Sequence, residues 1–276
     1  MSHIEISHCL EGRLLREGAG VKLHRYIGAE RTNDYEPILL FDYFNSEEPL
    51  DYLGGFPSHP HRGFETITYL LQGKLLHEDN TGHQGLLKSG DVQWMTAGRG
   101  VIHSEMPAQT QGAFTGLQLW LNLPAVNKMS APRYQEYTAS QLPEEVHDNG
   151  VKIKVIAGKT MQGTTSPIQG IATEPLFLDI QLPAQTSFTT VIPPTHQTIL
   201  FNLIGHISIS DKSVSQDQLA ILSKGNNLNI KAEDASRCLL IAAKKLHEPI
   251  ARLGPFVMNT QDEIRQAIED FRNRQF

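Results

Sequence analysis

His59 and His61 stand on either side of Pro60, and His103 and Glu105 on either side of Ser104. Residues two apart on an extended chain point to the same side, so each pair can offer two side chains to one ion. Pro60 disfavours a helix and pushes His59 towards an extended conformation. A closed β structure could bring both pairs onto one inner face, giving three imidazole nitrogens and a carboxylate. That donor set suits Fe(II), and Mn, Ni, Cu or Zn can occupy the same ligands. In an octahedral shell it leaves open positions for substrate or dioxygen, so such a site can be catalytic. An isolated His-x-His pair is common in surface loops. The second pair, the glycines around both and the strands between them select the metal reading.

Other residues compete for roles. Glu65 completes a His-x-His-x3-Glu spacing and rivals Glu105 as the carboxylate ligand. His77, Asp79 and His83 form another possible cluster, but they surround a turn signal and read as solvated, and His196 and His206 read as surface or packing residues. Arg99, between Gly98 and Gly100, could hold an anionic group, but is expected to pair with a nearby carboxylate. Phe56, Trp94 and Met95 are candidates for an apolar lining beside the metal, with core packing as the default for each.

The elements that must position these groups are mostly short strands. Glu65–Leu71 is rich in β-branched and aromatic residues and runs into Gln72-Gly73, with Lys74–Glu78 after it, which predicts a hairpin. Asp79-Asn80-Thr81-Gly82 predicts a further turn. Phe114–Leu123 alternates apolar and polar as a half-buried strand does. From Pro124 to Gly170 the chain is proline-rich and polar around one alternating strand, Val151–Ala157, and reads as a connection. Strand rhythm then resumes at Leu176–Leu182, Thr198–Ile204, Ile207–Ile209, Leu219–Leu222 and Cys238–Ala242, echoing the first half as a second, related β unit. Thr260 and Glu263 form a capping box for one helix carrying Ile264, Ala267, Ile268 and Phe271 on a single face. Many short strands and few helices predict a mainly β sandwich or barrel architecture. The division expected is 1–133, a metal-binding β domain; 134–170, a connection; and 171–276, a second β domain with the helix.

Composition bounds the function. The 276 residues carry 24 Lys and Arg against 30 Asp and Glu, and no basic stripe supports direct nucleic-acid binding. The two cysteines, Cys9 and Cys238, are too far apart in sequence for a disulfide framework or the close spacing of a structural zinc site. No apolar run approaches a membrane span and the first residues do not read as a signal peptide, so the expectation is a cytoplasmic protein, taken as a monomer.

The segment Gly54–Pro107, with HPHRGFET at His59–Thr66 and AGRGVIHSEMP at Ala97–Pro107, resembles the pirin family of the cupin superfamily. GPFVMNT at Gly254–Thr260 and the stretch Phe41–Gly55 resemble it too, whereas residues 125–172 match weakly. The resemblance implies a bicupin, two cupin barrels packed face to face, with iron in the first on His59, His61, His103 and Glu105 and none in the second. It favours Glu105 over Glu65. Some members of the family look like quercetin 2,3-dioxygenases and others like regulators that bind a partner protein. The enzyme reading is preferred: a flavonol and dioxygen as substrates, the ring opened with release of carbon monoxide, and Glu105 also the base that accepts the flavonol hydroxyl proton. An iron-dependent protein-binding regulator is the alternative.

Overall fold

In the computed structural model, which describes residues 2–28 and 34–276, the chain forms two units that are not contiguous in sequence. One joins residues 13–139 to 246–276; the other joins residues 1–12 to 140–245. This differs from boundaries at 133 and 171. The strand Ile6–Glu11 pairs with Gln218–Leu222 and so completes the second unit, while the C-terminal helix belongs to the first. The region expected to be a connection supplies two paired strands, Glu144–Val146 and Lys152–Ala157, to the second unit's large sheet.

Each unit has, among the described residues, a seven-stranded and a four-stranded antiparallel sheet. In the first unit, apolar residues of both sheets meet in one core that includes Leu70, Leu75, Leu87 and Phe114. The second unit follows the same plan, and its interior is filled by apolar side chains such as Phe188, Leu200, Leu228 and Ile230.

The expected hairpin at Gln72-Gly73 takes a different form. Phe64–Gln72 pairs with Val92–Thr96 and Phe114–Asn122 in the large sheet, whereas Lys74–Asp79 pairs with Gln84–Lys88 and Val101–Pro107 in the small one. Gly73 is therefore a corner between sheets, with φ +110°, and a Cβ there would lie 2.7 Å from Gln109 Oε1 and 2.9 Å from Phe114 Cδ2. Gly205, φ +78°, makes the same corner between His196–Ile204 and Ile207–Ile209, so the echo between the halves is a repeated topology. Gly73→Ala is expected to cost about 2 kcal/mol, from the left-handed backbone and the crowded corner. Chemical denaturation checks it, and an unchanged midpoint would contradict the account.

The helix Gln261–Arg272 starts at Thr260, whose hydroxyl accepts from Glu263 N while the Glu263 carboxylate accepts from Thr260 N, the capping box read from sequence. Ile264 and Ala267 are buried against Phe256, Met258 and Ala251. No helix among the described residues is long and apolar enough to cross a membrane.

Candidate metal centre

The small sheet of the first unit positions the imidazoles. Its edge strand is Phe56–His61, where Pro57 and Pro60, lacking an N–H, are tolerated. In the pairing with Val101–Pro107, His103 stands opposite His59 and Val101 opposite His61. The register thus brings His59, His61 and His103 to one face. Their ring centroids are 4.4 to 4.9 Å apart, and one nitrogen from each lies within 4.8 Å of the others.

The local chemistry fits a bound cation. His59 Nδ1 lies 2.8 Å from the Pro57 carbonyl oxygen. A carbonyl only accepts, so Nδ1 carries the proton and Nε2 is left as a lone pair. That Nε2 is 3.1 Å from His61 Nε2; two nitrogens about 2.1 Å from one ion and at right angles would stand roughly 3 Å apart. His103 Nε2 is buried with no hydrogen-bond partner. Burial, and then the neighbouring imidazoles, push His61 and His103 well below the ordinary histidine range, so both are neutral at pH 7 and able to offer a lone pair.

Glu105 is buried on the same strand as His103 but outside the three-imidazole group, with a register shift between the two where the strand pairs with Phe56–His61. It reaches the large sheet, where Thr68 Oγ1 donates to Oε1 at 2.9 Å and Gln118 Nε2 donates to Oε2 at 2.8 Å. Trp120 Nε1 donates to Gln118 Oε1 at 3.0 Å, which fixes the amide so that its NH2 faces Glu105. Glu65 alternates with Thr66 and so faces away from Thr68. Thr96 Oγ1 donates to its Oε1, and its Oε2 has no hydrogen-bond partner near the Trp94 indole N–H, itself unpaired. The rival carboxylate is therefore on the wrong side of its strand to join the imidazoles.

A cleft of about 360 Å3 reaches the cluster at His59 and His61. Phe56 and Trp120 give it apolar faces, and Gln118 rather than Glu105 lines it. One wall holds Asp42, gripped by Arg25 through Nε to Oδ1 at 2.8 Å and Nη2 to Oδ2 at 2.7 Å, and Arg252 lies 5.2 Å over the Trp120 ring. Of the three candidates for an apolar lining, Phe56 takes that role, while Trp94 and Met95 are buried away from the cleft.

Two readings of single residues need correction. His77 is fully buried, with its ring 4.9 Å from that of His103, and Asp79 and His83 are half-buried beside it. The turn at 79–82 is real, but His77 and Asp79 precede it on a strand paired with Val101–Pro107, opposite Glu105 and His103. Their i, i+2 spacing, the same signal that marks the His59/His61 and His103/Glu105 pairs, places both on one side of that strand. Arg99 is exposed and contributes its backbone: its N–H donates to Ser130 O and its carbonyl accepts from Arg62 Nε. His196 packs, with Nε2 2.9 Å from Glu174 O, and His206 is an exposed partner of Asp234. Sequence reasoning also missed Gln118, and Arg62 and Tyr134, whose partners Asp270 and Asp79 are distant in the chain.

Comparison with known proteins agrees with the geometry. The model of the Pirin family matches residues 20–121, and that of the Pirin C-terminal cupin domain matches residues 177–276. A pirin-like protein of Caulobacter vibrioides is 43% identical over 97% of this chain and 97% of its own length. Human pirin is 41% identical over 93% of this chain and 88% of its own. The crystal structure of quercetin 2,3-dioxygenase from Acinetobacter baumannii superposes with a TM-score of 0.92 at 33% identity, covering 100% of this chain and 99% of that one. The two repeated β units are cupin domains, and the chain belongs to the pirin family.

Proposed function

We propose that this protein is an iron-dependent dioxygenase that opens the heterocyclic ring of a flavonol such as quercetin with dioxygen and releases carbon monoxide. The observation that carries the reading is the convergence of His59, His61 and His103 at a cleft large enough for a small planar molecule. The likeness to a quercetin 2,3-dioxygenase from Acinetobacter baumannii supports the choice of substrate. His59, His61, His103 and Glu105 would hold the metal; Fe(II) is the proposed occupant, and Mn, Ni, Cu and Zn suit the same donors. Iron bound there supplies Lewis acidity towards the flavonol hydroxyl oxygen and access for dioxygen.

The chain's own residues do the rest. Phe56 and Trp120 offer apolar faces to a planar ring system, and the guanidinium of Arg252 and the Arg25–Asp42 pair offer polar contacts at the cleft wall. Glu105 is the proposed acceptor of the hydroxyl proton. Both its oxygens already accept a hydrogen bond, and the Gln118 amide lies between it and the cleft. Gln118 Nε2 donates to Oε2 and lines the cleft, so it positions the carboxylate, and each oxygen keeps a second lone pair with which to accept that proton.

Iron-loaded protein is expected to consume oxygen when quercetin is added. His59→Ala and His103→Ala should each lower that rate roughly a hundredfold, because each deletes a metal ligand. An oxygen electrode with carbon monoxide detection reads the result. Unchanged rates in both variants would sink the proposal.

A further inference from the structure

Behind His103 a line of hydrogen bonds runs away from the imidazole cluster. His103 Nδ1 is 3.3 Å from His77 Nδ1, His77 Nε2 is 3.3 Å from the Tyr134 hydroxyl, and that hydroxyl is 2.6 Å from Asp79 Oδ2. The direction of every proton follows from the far end. The other Asp79 oxygen accepts from Thr81 N, Thr81 Oγ1 and His83 N at 2.8 to 2.9 Å, so the group is a carboxylate that can only accept. Tyr134 must therefore donate its proton to Asp79, and its oxygen accepts from His77 Nε2–H. His77 Nδ1 is then a lone pair, which accepts from His103 Nδ1–H. His103 Nε2 is left as a lone pair, and it is the buried ring atom without a partner.

We propose that Asp79, Tyr134 and His77 form a proton-ordered chain that locks His103 in the Nδ1–H tautomer and presents Nε2 to the metal. Tyr134 and His77 are positioning residues for the ion, not ligands. His77 Nδ1 is engaged with His103 and its Nε2 with Tyr134, so neither nitrogen is free to coordinate. The reverse polarity would turn the phenolic proton away from a carboxylate, forfeiting a charge-assisted hydrogen bond, about twice as strong as a neutral one. It would also set an N–H on His103 Nε2, closing the donor. The phenol is held in place by the His83 ring stacked on it at 4.1 Å, and His83 is itself fixed by Glu136 at 2.9 Å. Outer partners of this kind govern both the orientation and the basicity of a ligating imidazole.

The inference rests on reading the imidazole cluster as a metal site, and the test separates the two. Affinity of the full chain for Ni(II) and Fe(II) is measured by competition with a chelator, alongside the melting temperature of the metal-free protein. Tyr134→Phe keeps the ring against His83 but removes the oxygen, and affinity should fall about 10- to 100-fold. His77→Leu should fall as far. His77→Gln, whose amide can accept from His103 and donate to Tyr134, should recover most of the loss. In Zn(II)-loaded wild type, nitrogen-15 NMR should find the His103 proton on Nδ1. A merely structural role would lower the metal-free melting temperature and leave affinity alone, and that result overturns the proposal. Equal affinities of wild type and Tyr134→Phe overturn it as well, even should His77→Leu fail to fold. A wild-type protein that binds neither ion would instead sink the metal reading itself.

Discussion

Replacing Arg62 with alanine is expected to lower the free energy of unfolding by about 2–3 kcal/mol, between the small value of an exposed ion pair and the cost of breaking a fully buried one, because Arg62 is buried while Asp270 is only part-buried. Arg62 directly follows His61, the second histidine of the His-x-His pair, yet its side chain serves the scaffold. It is 3% exposed. Its Nη1 donates to Asp270 Oδ2 at 2.6 Å, its Nε donates to Arg99 O, and its guanidinium lies 4.2 Å over the Phe276 ring. Truncation removes all three contacts. It leaves the Asp270 carboxylate without its cation and the Arg99 carbonyl without its donor, each a desolvated group that water cannot fully reach. The strand end that carries His61 would then lose its tie to the C-terminal helix. Denaturant unfolding measures the loss, and hydrogen exchange should report faster opening at residues 261–272. Arg62→Met separates volume from charge: it keeps most of the packing, so a comparable loss in that variant assigns the effect to the ion pair. A loss under about 1 kcal/mol with unchanged helix protection would contradict the assignment, since such a value belongs to exposed pairs.

What could be read in the sequence was local. Strand alternation places both members of His59/His61 and of His103/Glu105 on one side without reference to the rest of the fold. The capping box at Thr260 and Glu263 is equally local, and it formed as read. Register is not local. Nothing in either segment states that His103 stands opposite His59, and that pairing is what makes a cluster of two weak motifs. Arg62 could not be assigned because its partner is 208 residues away. His77 was misread for the opposite reason, since the strong turn signal after it masked a strand position whose meaning comes from pairing with Glu105. Phe114–Asn122 alternates, yet most of its residues are buried, because it is an inner strand flanked on both sides in the large sheet. The edge strand Ile6–Glu11 carries no mark of the sheet it joins, which is why a division in sequence order assigns it to the wrong unit.

Glu65 shows how the same motif can hold a residue that works against stability. The spacing from His61 suits a ligand, but its carboxyl lies on the opposite face of its strand. There burial pushes it up to about 7, while Thr96 and the Trp94 indole pull only partly the other way. The sign follows from proton binding. The folded state holds the Glu65 proton more tightly than the unfolded chain, so unfolding releases a proton between the two values, and this group's contribution to stability falls as pH rises from the ordinary carboxyl value of 4.5 to about 7. Below that window the ionisation penalty is absent; above it the penalty is constant at about 3 kcal/mol, at 1.36 kcal/mol for each unit of displacement. Glu65→Gln does not titrate. Its stability relative to wild type should therefore climb by about 3 kcal/mol between pH 4.5 and 7 and stay level above. The amide nitrogen set beside the Trp94 N–H adds an offset that does not vary with pH, so the readout is the slope of the difference and not its value at one pH. Urea unfolding of both proteins at half-unit steps measures it. Parallel stability curves for the two proteins across that window would mean that Glu65 is ionised in the fold without penalty, and that the small donors around it do more than burial undoes.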